Sequence, residues 1–284
     1  MRRGFRDSIA IAEALGYQVA MPNLLQPKQT QFTQEQANES RLVTKVRWVV
    51  ESVNGRLKNV FKFFRGVISN HYLADNKLRR FVRVSCPFLN AFFPVIRTEK
   101  PGDRELAQFM IDRAELSNVL QLKLTSTGLI RKRVCWVPVR SGEIQDFPHL
   151  SPDELLEITV GIFQIKLAPS YLAHLCAHQR IDDVEAGDLH LWFYRDDPTL
   201  PRFRMPSRFS SGHEHQVWVQ YEPYSTIGVL SIKCWYCTCR SGARTVGCCA
   251  HVACVLWYLG FARHQPGVRF PAQHLGNTLL SAQG

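Results

Sequence analysis

The sequence predicts an α+β fold: a helical N-terminal third, a mixed region after it, and a small strand–strand–helix module near the C-terminus. Three patterns carry this expectation. Apolar residues recur three and four apart across residues 46–64, as they do on one face of a helix. From residue 189 the pattern changes to alternation, the period of a strand. Last, two cysteine-containing doublets flank a short spacer with two glycines, a layout that folds the backbone sharply back on itself.

Taken in order, residues 6–15 predict a short helix closed by Gly16, then a strand over 17–21 that Pro22 stops. Residues 23–32 read as a polar linker. Thr33 and Gln36 form a capping box, in which each side chain can bond the other's backbone N–H, and a long helix follows. Its apolar stripe is Val46, Val49, Val50, Val53, Leu57, Val60, Phe61 and Phe64. A further helix begins near Asp75 with Leu78, Val82, Cys86 and Leu89 on one face, and Pro87 is expected to kink it or end it early. Residues 101–104 mark a boundary, 105–122 read as helical, and the apolar run 135–137 is closed by Pro138. Ser151, Pro152 and Glu154 supply an N-cap, a proline in the first turn and an acid to complete the box. Beyond Gly161 the pattern turns towards strands: Leu189, Leu191 and Phe193 alternate with His190, Trp192 and Tyr194, and 217–221 and 229–236 are similarly β-rich.

Composition narrows the function classes. At 284 residues the chain is long enough for two domains. No apolar run approaches the roughly 20 residues of a membrane span. Acids interrupt the N-terminal pattern MRRGFRDSIAIAEALGY, which excludes the apolar core of a secretory signal. The net charge of +11 is uneven: residues 1–100 hold 17 Lys/Arg against 7 Asp/Glu, whereas residues 101–284 hold 18 against 17. A basic N-terminal part can face phosphates or simply be a solvated surface.

Of nine cysteines, Cys86, Cys135 and Cys176 are scattered and read as small core residues, while Cys234, Cys237, Cys239, Cys248, Cys249 and Cys254 crowd together. Clustered thiols beside a histidine favour a metal over a disulfide scaffold. Cys237 and Cys239 lie two apart, so on a strand both thiolates project from one face. After nine intervening residues come Cys249 and His251, at the entrance of a run with helical character that ends at Gly260. Thiolate and imidazole ligands suit Zn²⁺, and four protein ligands leave no open position for a reacting water, so the site reads as structural. Cys234 offers a rival C-x-x-C doublet with Cys237, and Cys248 adjoins Cys249. His213 and His215 read as solvent-facing. The aromatic residues Trp192, Tyr194, Trp218, Tyr221 and Trp235 could stack on bases but read better as core.

The pattern C-x-C, spacer, C-x-H over residues 237–251 resembles the SWIM-type zinc finger, a strand–strand–helix module linked to DNA or protein binding. The resemblance favours Cys237, Cys239, Cys249 and His251 as the Zn²⁺ ligands, in a domain spanning about 205–262.

Residues 1–95 resemble the C-terminal part of a PIF/Harbinger-type DDE transposase, through RGFRD at 3–7, VAMPNLL at 19–25 and ESRLVTKVRWVVESVNGRLKNVFKFF at 39–64. That family implies an RNase H-like fold in which three carboxylates hold two Mg²⁺ ions for DNA strand cleavage. Glu51 falls at the position of the closing glutamate, within the spacing from Arg47 to Glu51, but the second aspartate's place is taken by Arg2 and the first lies before this sequence. The resemblance therefore implies a DDE remnant over 1–100, not an enzyme, with Glu51 vestigial; the alternative is a metal-dependent nuclease or transposase working through Glu51, with Asp7 and Asp75 the nearest other acids. Arg41, Lys45, Lys58, Lys62 and Arg65 are the candidate phosphate contacts. The expected organisation is completed by a mixed α/β region over 105–204 and a tail over 263–284. The expected partner is DNA or another protein, with no membrane and no small-molecule substrate; the resemblance places the protein in the nucleus.

Overall fold

The computed structural model describes residues 8–74, 76–94, 100–179, 189–208, 210, 212–225 and 228–265. RGFRD, Asp7, Asp75 and all but the first three residues of the tail lie outside them. The α+β expectation holds, with helices first and an antiparallel sheet after. The chain divides into two units, one of residues 1–22 and 40–109, the other of 23–39 and 110–284.

The first unit is helical: α1 (Ile9–Ala14), α2 (Gln34–Val46), whose first half belongs to the second unit, α3 (Trp48–Val60), α4 (His71–Ala74) and α5 (Lys77–Phe92). Gly16 turns the chain after α1 at φ +83°, but residues 17–21 form no strand. The long helix is broken at Arg47 and ends at Val60, because Phe61 turns extended. Two forces explain that early stop. The Arg65 guanidinium donates to the Lys58 and Asn59 carbonyls at 3.0 and 3.1 Å, which satisfies the end of α3. Phe61 and Phe63 also leave the helical path to pack edge-on against Phe64, Tyr72, Phe81 and Phe88. Upstream, Val46, Val49, Val50 and Val53 remain exposed. The expected early end at Pro87 does not occur: α5 continues to Phe92, with Ser85 and Leu89 buried on either side of the proline.

The second unit holds α6 (Asp103–Glu115, from Met110), α7 (Val119–Ser126), β1 (Trp136–Arg140), α8 (Pro152–Thr159), α9 (Ile162–Gln179), β2 (His190–Tyr194), β3 (Asp197–Pro206), β4 (Glu214–Tyr221), β5 (Ile232–Cys237) and α10 (Ala250–Gly260). Asn118 caps α7 by accepting the Gln121 N–H, and the Ser151/Glu154 box starts α8. The strands form an antiparallel meander in sequence order. β1 runs through Pro138, which an edge strand tolerates. Beyond Gly161 the expected strands give way first to α9, an 18-residue helix that carries Pro169 inside it. Its buried Ala168, Leu172, Leu175 and Cys176 keep helical spacing. No single helix among the described residues is long and apolar enough to cross a membrane.

Two apolar layers sandwich the sheet. One face meets α8, α9 and α10 through Val217, Val219, Tyr221, Leu172, Val252 and Leu256, each buried aliphatic side chain contributing roughly 1.5–3 kcal/mol. The other carries Trp136, Leu200, Trp218 and Tyr236 against Leu120 and Leu124 of α7. Helix α10 is buried from His251 to Gly260, as a helix apolar on every side must be.

Candidate metal centre

β5 brings Cys237 to its last ladder position, opposite Val217 of β4. The chain then reverses in a tight knuckle: the Gly242 N–H donates to the Cys239 carbonyl at 3.0 Å, and the Cys237 N–H donates to the Gly242 carbonyl at 3.1 Å. Cys239 therefore lies in the turn and not on a continuing strand. Its backbone N–H points at the Cys237 sulfur, at 3.3 Å, a donor placed to stabilise a thiolate.

The spacer is fixed by buried amides. Asn118 donates to the Trp235 and Ala243 carbonyls at 3.1 and 3.0 Å. Asn38 accepts the N–H groups of Thr245 and Val246 and donates to the Thr245 hydroxyl at 2.8 Å. Gly247, at φ +63°, lies so close to the corner between α8 and α9 that a Cβ there would stand 2.4 Å from the Thr159 carbonyl oxygen. Cys249 is the N-cap of α10, but its side chain makes no capping bond, and His251 follows in the first turn.

The result is a buried group of Cys237, Cys239, Cys249 and His251, whose ligand atoms all lie within 4.8 Å of one another. The Cys237 and Cys249 sulfurs are 3.8 and 4.0 Å from His251 Nδ1. A tetrahedral ion with bonds of about 2.3 Å to sulfur and 2.0 Å to nitrogen needs ligand atoms about 3.5–3.8 Å apart. The cluster can thus hold a metal ion after shifts of a few tenths of an ångström at the two sulfur–nitrogen contacts and of up to about 1 Å at its widest pair. Burial raises the Cys237 thiol well above its ordinary range, helped by hydrogen bonds with Cys239 and Cys249. At Cys239 the bond with Cys237 pulls down, but the bond with Cys249 and burial together raise it. Burial also opposes ionisation of Cys249, yet bonds from Cys237, Cys239 and His251 lower it well below the usual thiol value. Three thiols so placed compete for one negative charge, and a bound dication removes that competition by ionising all of them.

Around the cluster, the His251 ring meets Tyr171 edge-on at 5.1 Å and His215 at 4.8 Å. His215 is therefore half-buried beside the cluster and not solvent-facing as its sequence suggests; His213 is exposed. The linker expected over 23–32 also departs from its reading. Gln31 Nε2 donates to both the Cys237 and Cys239 carbonyls, at 2.7 and 2.8 Å, while its Oε1 accepts from the Tyr236 hydroxyl. A lone glutamine gives no sequence signal of this role.

The rival ligands sit elsewhere. Cys234 is on the opposite face of β5, its thiol 3.7 Å from Gln220 Oε1 and pushed up to about 11 by burial. Cys248 is buried in the main core outside the four-ligand group, and Cys254 lies in α10 within that core. Trp218, Tyr221 and Trp235 are buried, whereas Trp192 and Tyr194 are half-buried. Glu51 is exposed and paired with Arg47 at 2.8 Å. Among the basic candidates Lys58 and Lys62 are exposed, Arg41 and Lys45 are half-buried, and Arg65 is committed to the end of α3.

Residues 5–90 match a family described as DDE superfamily endonuclease. The matched span contains Glu51 and the five basic candidates and stops well short of the cysteine cluster. No curated protein and no solved structure matches the chain.

Proposed function

We propose that the chain binds one structural Zn²⁺ through Cys237, Cys239, Cys249 and His251, as a SWIM-type finger in a transposon-derived, non-catalytic protein that recognises DNA or another protein. The convergence of three thiols and one imidazole in a buried group carries this reading. Soft thiolates with imidazole select zinc over the oxygen-preferring Mg²⁺ and Ca²⁺. Four protein ligands fill a tetrahedral shell, so the ion acts on stability and not on a substrate. Metal analysis of the purified protein should give one zinc per chain, and the paired Cys249→Ser/His251→Ala variant should contain none. A folded, reduced sample without zinc would sink the reading.

The endonuclease similarity favours a second reading, Mg²⁺-dependent DNA cleavage through Glu51. Against it stand the exposure of Glu51 and its pairing with Arg47. The similarity equally supports retained DNA binding through Arg41, Lys45, Lys58 and Lys62, and with it a nuclear location. A low-salt DNA-binding assay separates a DNA-recognising protein from one that recognises only protein.

A further inference from the structure

Arg244 stands in the spacer between the two ligand pairs and is 8% exposed. Its Nε and Nη2 are sealed from solvent and have no hydrogen-bond partner among the described residues. A guanidinium is always charged, and burying it without a counter-charge is strongly unfavourable. The residue is held there by its neighbours, since Thr245 is tied to Asn38 and to the Arg113 carbonyl and Ala243 is tied to Asn118.

Arg244 lines an open pocket of about 270 Å³ between the α6–α7 connection and β5. Arg113 and Lys233 bring two further positive charges to its wall, and no acidic side chain among the described residues lines it. Arg113 lies over the Trp235 ring at 5.3 Å and donates through Nε to the Thr245 carbonyl, which fixes its position. Lys233 pairs with Glu222 at the exposed surface, an ion pair weak enough to exchange. Val119, the first residue of α7, is also in the wall, so the positive end of that helix dipole adds to the field.

We infer that this pocket is a binding site for a phosphate group, with Arg244, Arg113 and Lys233 supplying the counter-charge. A doubly charged phosphate matches three cations better than a single carboxylate does. The site is distinct from the metal cluster and does not require its ion, because protein hydrogen bonds hold the spacer.

Inorganic phosphate titrated into the full chain, followed by calorimetry and by amide chemical shifts, tests the assignment. Saturable binding that moves the signals of residues 113–119, 233–235 and 244–245 is expected. Arg244→Met should weaken it roughly tenfold or more, and Lys233→Met, an exposed change that spares the fold, roughly threefold. Adenosine monophosphate forms the second arm: binding at least as tight as phosphate identifies an esterified group as the ligand, and weaker binding identifies the free ion. Failure of the wild type to bind either probe saturably would overturn the inference, as would unchanged affinity in both variants. Zinc measured on the same samples separates the two readings: absent zinc with intact phosphate binding removes only the metal assignment, and present zinc without phosphate binding removes only this one.

Discussion

A Cβ placed on Gly242 would stand 2.1 Å from the carbonyl oxygen of Cys237. Neither atom has room to yield, because that carbonyl is also held by Gln31 and the Gly242 carbonyl accepts the Cys237 N–H. Gly242→Ala should therefore cost about 3 kcal/mol or more and lower zinc content together with the melting temperature. Wild-type stability and metal content in this variant would show that the knuckle is looser than described.

Metal removal should act as a stability change. If free metal exceeds Kd a thousandfold, binding adds about 4 kcal/mol, or about 10 °C of Tm in a domain this size. Thermal melts with and without a chelator measure it, and Cys249→Ser should melt like the chelated wild type with no further response to chelator.

Asn38 is 1% exposed and serves two backbone N–H groups of the spacer and the Thr245 hydroxyl. Asn38→Ala strands those buried groups and should cost about 2–4 kcal/mol in denaturant unfolding. Ser126→Ala, on an exposed residue, serves as the control and should cost under about 0.5 kcal/mol.

Asp197 links α7 to the sheet by accepting from Lys123 and Gln220, each at 2.9 Å, and from Thr199. Burial pushes its carboxyl up, but the Thr199 and Lys123 bonds outweigh this and hold it below the usual range. Its contribution is present above the unfolded pKa near 3.9 and is lost as pH falls through the folded value. The Tm gap between wild type and Asp197→Asn should hold from neutral pH to about 4.5 and shrink below it. A gap that widens on acidification would contradict the assignment.

Glu51→Ala removes an exposed pair with Arg47 and should change stability by less than about 1 kcal/mol. DNA incubated with Mg²⁺ and either protein should be left equally intact. Cleavage by the wild type that the variant lacks would establish the nuclease reading instead.

What the sequence made legible was local. Thr33 with Gln36 and Ser151 with Glu154 form their boxes because both partners lie within one turn. The four clustered ligands could be found because each doublet spans three residues. Helix α9 was hidden because Pro169 and the β-branched residues near its start imitate a broken strand region, while burial against α10 overrides both. Strand β3 was hidden by Pro198, Pro201 and Pro206; Pro201 is accommodated beside the irregularity at Phe193 and Tyr194. Gln31 and Arg244 owe their roles to partners far along the chain or to an unmatched charge, and neither leaves a trace in spacing.

The Gln31 amide on the knuckle and the Asn38 amide on the spacer also bear on modularity. Both come from a stretch about two hundred positions upstream of the backbone groups they hold. The finger is thus discontinuous along the gene: a segment cut from 205 to 262 and grafted elsewhere would carry every ligand but leave two of its braces behind. Exchange of this module between proteins would have to move the 23–39 stretch with it, or find other amides to replace it.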